Sequence, residues 1–261
     1  MTGAFKAAPS VVPPSYRGRE QAWIKHQLLE SYLEKLMLIV GMAAKRQGTI
    51  EICYVDCFSG PWGTSELEST SIAVSLRTMA KCRQKLAELG VTASMRALYI
   101  ERDDEAFGNL ERYLDSATPD TVSAKCFHGD FVDLREQILT WSGRDAFTFF
   151  FIDPKGWKSI GIEKLRPLLQ RPRSEFLINF IYDFINRTAS MAEWQSDIAE
   201  FLGVPIGAVQ ELEHHSPQDR EEKLLGHYRS SLKAALPPQR SPFIGRTAYV
   251  RVLDPSRERA K

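Results

Sequence analysis

Four carboxylates stand out by where they fall in the chain. Asp56 lies in Tyr54-Val55-Asp56-Cys57-Phe58-Ser59-Gly60-Pro61-Trp62-Gly63, Glu101 follows Leu98-Tyr99-Ile100, Asp130 follows His128-Gly129, and Asp153 opens Asp153-Pro154-Lys155-Gly156-Trp157. Each closes a run rich in apolar, β-branched or aromatic residues, the kind that suits a pleated, buried surface. An acid at a strand end followed by a glycine-containing loop is what a nucleotide-like ligand needs. The carboxylate accepts hydrogen bonds from hydroxyls or amines, and glycine lets the backbone approach closely. A single acid in such a place is commonly a turn former or a helix cap; four on one rim are not explained that way. The loop from Ser59 to Gly63 is not G-x-G-x-x-G, so the spacing does not favour a dinucleotide.

The elements that must hold these residues alternate. A long helix is expected from Arg19, with Leu28, Tyr32, Leu36 and Val40 in one row and Leu29, Leu33 and Met37 in the next, ended by Gly41 or Gly48. Lys25 and His26, beside Trp23, read as a solvated face of that helix or as the part that closes over a ligand. Thr70 or Ser71 is expected to cap a second helix through Ile72, Leu76, Met79 and Leu86 to Gly90. Strands are expected near 52–56, 95–100, 122–127 and 147–152, and a strand or strand-plus-turn over 176–185, with helices between them. The almost wholly apolar Phe147–Ile152 suits a central parallel strand buried on both faces. Five alternations predict an α/β, Rossmann-like, mostly parallel sheet with helices on both faces, and ligands beyond the carboxyl ends of the strands. In domain terms, 1–18 reads as a flexible lead-in, 19–187 as the core, and 188–240 as a helical insertion or cap near the site. Residues 241–261 read as a last strand (Thr247–Leu253) and a charged tail; either the chain is truncated there or the sheet is completed differently.

Composition excludes little and bounds much. The chain has 261 residues, 43% of them hydrophobic, enough for one large α/β domain with a sizeable core. A net charge of +1 implies no polyanion by itself, although a local basic face is compatible with it. The four cysteines form no C-x-x-C pair and no His lies at zinc-ligand spacing, which predicts a reducing, cytoplasmic setting with neither a disulfide framework nor structural zinc. No apolar run reaches membrane-spanning length.

Asp-x-Phe-Ser-Gly-Pro-x-Gly resembles the first motif of S-adenosylmethionine (SAM) dependent methyltransferases. Taken with Trp23-x-Lys25-His26, Ile100-Glu101, Gly129-Asp130, Phe151-Ile152-Asp153-Pro154-Lys155-Gly156-Trp157 and Ile178-Asn179-Phe180-Ile181-Tyr182-Asp183-Phe184-Ile185-Asn186-Arg187, the chain resembles the three-Cys-motif partner (TcmP) family. The resemblance implies a class I methyltransferase-like fold, SAM as cofactor, and a bacterial or phage-type protein working beside a radical-SAM-like partner that carries three cysteines. On a SAM reading, Asp56, Ser59, Gly60 and Gly63 suit the aminoacyl end and Glu101 the ribose hydroxyls. Asp130 suits the adenine amine, with Phe131 or a neighbour on the ring. Asp153-Pro154 is then the catalytic position where the acceptor meets the transferred group. Amino-directed nucleic-acid methyltransferases carry Asp/Asn-Pro-Pro-aromatic at that place; here the second Pro is Lys155 and the aromatic, Trp157, comes one position late. Trp157 could stack a base and Lys155 face a phosphate, or Trp157 could pack against the next helix. Asp183 and Arg187 are lesser substrate-side candidates. Two further readings stand beside methyl transfer to nucleic acid or a nucleobase: a catalytically inactive partner that keeps the fold, and a metal-dependent nuclease using the acidic rim.

Overall fold

The computed structural model describes residues 12–60, 67–237 and 247–249. Strands β1 (Thr49–Asp56), β2 (Thr92–Glu101), β3 (Ser123–His128), β4 (Phe147–Ile152) and β5 (Ser174–Ile178) form one sheet in the order β3-β2-β1-β4-β5. Every pair is parallel. The register brings the expected acids to one edge: Asp56 lies opposite Tyr99 and Phe151, and Glu101 lies opposite His128. The chain reverses its direction of build between β1 and β4, the topological switch point of a Rossmann-like fold, where a crevice opens beyond the strand ends.

Why the strands read as unbroken apolar runs is visible in the packing. Ile52, Tyr54, Met95, Ala97, Tyr99, Phe149 and Phe151 face one layer, while Val55, Leu98, Ile100, Phe150 and Ile152 face the other. A period of two on a sheet covered on both sides leaves no polar face. The first layer is made by α1 (Glu20–Ala43), α2 (Ser71–Glu88) and α3 (Asp104–Ala117), through Leu29, Leu33, Met37, Leu76, Met79 and Leu110. The second is made by α4 (Arg135–Ser142), α5 (Ile162–Leu169), α6 (Tyr182–Thr188), α7 (Ala192–Leu202), α8 (Ile206–Gln210) and α9 (Pro217–Ala235). Ile138, Leu165, Ile185, Phe201, Val209 and Tyr228 are its buried contacts.

Several boundaries differ from expectation. Gly41 does not stop α1. It lies inside the helix, and a Cβ there would stand 2.5 Å from a methyl of Leu86 on α2, so the glycine serves close helix packing. The turn instead uses Gly48, at φ +75°. The apolar stretch expected as a strand or strand-plus-turn over 176–185 divides between β5, which ends at Ile178, and α6, where Ile185 fills the second layer. The expected cap, α7 to α9, shares one hydrophobic cluster with the sheet. In the expected lead-in, residues 1–11 lie outside the described residues, while Pro14–Tyr16 forms a 3-10 turn with Tyr16 buried. Thr247, Ala248 and Tyr249 are described without strand pairing, and the rest of the expected last strand lies outside the described residues. Among the described residues no helix is long and apolar enough to cross a membrane.

Candidate active site at the strand-end rim

The loop after β1 is stapled to the end of β2. Ser59 N–H donates to Ile100 O at 2.9 Å, and Ile100 N–H donates to Ser59 Oγ at 3.1 Å. That brings Gly60 against Glu101 so closely that a Cβ at position 60 would stand 1.9 Å from Glu101 Oε2. Only glycine fits, and here the reason is the neighbouring carboxylate, since Gly60 does not adopt a left-handed conformation. Glu101 is itself held: its Oε1 accepts from the backbone N–H groups of Arg102 and Asp103, both at 2.8 Å. It is only 8% exposed, so it sits deeper than the open rim position expected of it. Two N–H donors on Oε1 leave Oε2 as the oxygen that faces the Gly60 turn.

Asp130, one strand further out, is more accessible. Its Oδ1 accepts from Val132 N–H at 2.8 Å, and its Oδ2 lies 3.8 Å from the Arg102 guanidinium. Phe131, with its neighbours a candidate to pack on an adenine ring, is 2% exposed and packs on Phe58 inside the second layer. That expectation is corrected: an apolar ring following a strand-end acid is drawn into the core when the next helix, α4, needs a buried anchor.

Asp56 is wholly buried, with Oδ1 accepting from Phe58 N–H at 3.1 Å and Oδ2 from the Ser71 hydroxyl at 3.0 Å. Ser71 is the first residue of α2, so the carboxylate sits at a helix N-terminus capped by Thr70. Burial nevertheless pushes its pKa up to about 7, with the charge of Asp153 adding to the rise and the Phe58 and Ser71 hydrogen bonds opposing it. Asp56 therefore braces the β1 loop from inside and is not an open contact for an aminoacyl group.

Asp153 closes β4, where Asn179 N–H donates to Ile152 O at 2.8 Å and continues the sheet by one residue. The Asn179 side-chain amide then donates to Asp153 Oδ1 at 2.7 Å, and Lys25 Nζ donates to Oδ2 at 2.5 Å. Lys25 comes from α1, whose first turns are fixed by Arg19 donating to Ser69 Oγ at 2.6 Å and by Tyr16 Oη paired with His26 Nδ1 at 3.0 Å. Burial, with Lys25 and Arg19 nearby, lowers the His26 pKa to about 4, so the ring is neutral at pH 7. Lys25 thus belongs to the rim and not to a merely solvated face. The sequence signal was its place beside Trp23 and His26 in the first turns of the long helix; what it lacked was any pointer to Asp153 across the fold. Asn179 stood in a quoted motif without a role.

Trp157 does not form a base-stacking surface. It is 6% exposed, edge-on to Phe201 at 5.3 Å, and it also contacts Trp194 and Phe184. The aromatic one place late in the motif falls in a 3-10 turn and is turned into the second layer. Pro154 is buried and Lys155 exposed beside it. Arg187 is exposed on the last turn of α6; Gly63 and the Asp183 side chain lie outside what the structure describes. Among the described residues no group of three or more His, Cys, Asp or Glu side chains could hold a metal ion.

No protein-family model matches the chain. No curated protein matches it. Among solved structures, a loganic acid methyltransferase with SAH is similar over 85% of this chain and 76% of that one, at 9% identity and a TM-score of 0.34. The Rossmann-like assignment rests on the strand order and register above.

Proposed function

We propose that the rim binds SAM and that the chain is a methyltransferase-like protein of the TcmP type, acting on nucleic acid or a nucleobase. The observation that carries this is the Gly60–Glu101 approach, with a Cβ at Gly60 falling 1.9 Å from the carboxylate. It sets a glycine turn against an acid at adjoining strand ends, the arrangement that receives a ribose and the group beyond it. Glu101, oriented by two backbone donors, accepts from ribose hydroxyls, and the half-exposed Asp130 accepts from the adenine amine. SAM, when bound, supplies an electrophilic methyl group. Asp153, at the crevice between β1 and β4, orients the acceptor, and Lys155 is free to meet a phosphate. A radical-SAM-like partner belongs to the same reading. A non-catalytic partner role is the second reading, favoured by the burial of Trp157 and the occupied state of Asp153.

Isothermal calorimetry tests the proposal. Wild type should bind SAM or S-adenosylhomocysteine, and Glu101→Gln should weaken binding about ten- to a hundred-fold, since hydrogen bonds to a charged group are worth about 1.5–3 kcal/mol. No heat from the wild type at millimolar ligand would reject the cofactor and favour the partner role.

A further inference from the structure

The two donors on Asp153 are not alike. Asn179 is fixed through its own backbone bond to Ile152, and its amide is a short side chain with little freedom. Lys25 is a long, flexible side chain, 35% exposed, reaching a carboxylate that is 18% exposed. Its removal would not undock α1, because Leu29, Leu33 and Met37 are fully buried under the helix and Arg19 holds Ser69 at its start. Partly exposed ion pairs contribute little to stability. An ammonium group on Oδ2 of the crevice acid is therefore a replaceable occupant.

We propose that Lys25 gates the acceptor side of the crevice: it caps Asp153 Oδ2 in the free protein and yields that oxygen to an N–H donor of the acceptor. This rests on the methyltransferase reading and deepens it, because it names the acceptor group as an exocyclic amine. An acceptor that presents a carboxylate would be repelled by Asp153 once Lys25 leaves. A base amine brings the same kind of donor that Lys25 and Asn179 already place there, at 2.5 and 2.7 Å. The displaced ammonium, on a side chain already 35% exposed, is then available to a backbone phosphate.

The test compares two fluorescently labelled single-stranded probes of equal length by anisotropy at fixed salt. One alternates adenine and cytosine; the other is oligothymidylate, which has as many phosphates and one aromatic base per residue but no exocyclic amines. Lys25→Met should bind the adenine–cytosine probe about tenfold more tightly than wild type and oligothymidylate no more tightly. Asp153→Ala in the Lys25→Met background should abolish the gain, with far-ultraviolet circular dichroism and melting confirming that both variants fold. A default phosphate contact gives the opposite sign, a loss on both probes, and that result overturns the gate. So does an unchanged affinity for both probes, which would make the pair a strut. SAM calorimetry on the wild type separates the two failures. SAM binding without the Lys25→Met gain sinks the gate alone, whereas no SAM binding removes the reading on which the gate stands.

Discussion

At the scale of single residues, the positions of the rim acids were legible and their surroundings were not. A strand followed by an acid and a glycine is a local pattern, so Asp56, Glu101, Asp130 and Asp153 could be found from the chain alone. What sits on each acid comes from elsewhere: Ser71 on Asp56, and Lys25, 128 residues away, on Asp153. Trp157 shows the consequence. Its contacts with Phe201, Trp194 and Phe184 make Trp157→Ala a core truncation, expected to cost about 3–5 kcal/mol in urea unfolding. A variant as stable as wild type but defective in binding nucleic acid would restore the stacking role. Gly60→Ala is a sharper probe of the rim. Glu101 cannot swing away cheaply, because Arg102 and Asp103 hold it by two N–H bonds of 2.8 Å. The added methyl should cost about 1–3 kcal/mol of stability, the usual range for overpacking, and should weaken SAM binding in calorimetry. Unchanged stability and affinity together would mean that the approach is looser than described.

At the scale of elements, the strand–helix alternation was legible because a sheet buried on both faces needs continuous apolar strands, and the amphipathic helices announce themselves by their rows. Ends were less legible, since glycine has two uses. It permits positive φ, as at Gly48, and it permits close approach, as at Gly41 under Leu86. Sequence cannot tell these apart, because the second depends on a partner helix 45 residues on. A prediction separates them. An exposed helical Gly→Ala change gains up to about 1 kcal/mol, yet at Gly41 the new Cβ would meet Leu86 side-chain carbons at 2.5 and 2.6 Å, and Leu86 is fully buried. Overpacking of about 1–3 kcal/mol should win, so Gly41→Ala is expected to be destabilised. Leu86→Ala alone should cost about 2–5 kcal/mol, and the double variant should be more stable than the sum of the two losses predicts. Strict additivity in chemical denaturation would show that the two helices do not touch there.

At the scale of the whole molecule, two titrating groups oppose each other, Asp56 buried in β1 and His26 half-buried in α1. Asp56, raised from 3.8 to about 7 mainly by burial, holds a proton in the folded chain that the unfolded chain has already released. The folded state binds more protons between those values, so its contribution to stability is present below about pH 4 and is lost as pH rises toward 7. His26, lowered from 6.5 to about 4 mainly by burial, behaves in the reverse sense: the unfolded chain binds the extra proton, so stability rises from about pH 4 to 6.5. At about 1.4 kcal/mol per unit, the first amounts to roughly 4 kcal/mol and the second to roughly 3. Both groups also sense Asp153, whose charge raises each of them. Because the two slopes cancel over most of the interval, this pair should leave wild-type stability nearly flat from pH 4.5 to 6.5. Asp56→Asn, whose Oδ1 can still accept from Phe58 N–H and whose amide can donate to the Ser71 hydroxyl, should uncover the histidine and grow more stable as pH rises. His26→Gln should uncover the aspartate and grow less stable over the same range. Urea titrations of the three proteins at half-unit intervals of pH decide it: parallel, level profiles in both variants would mean that neither group is held as far from its ordinary range as its burial requires.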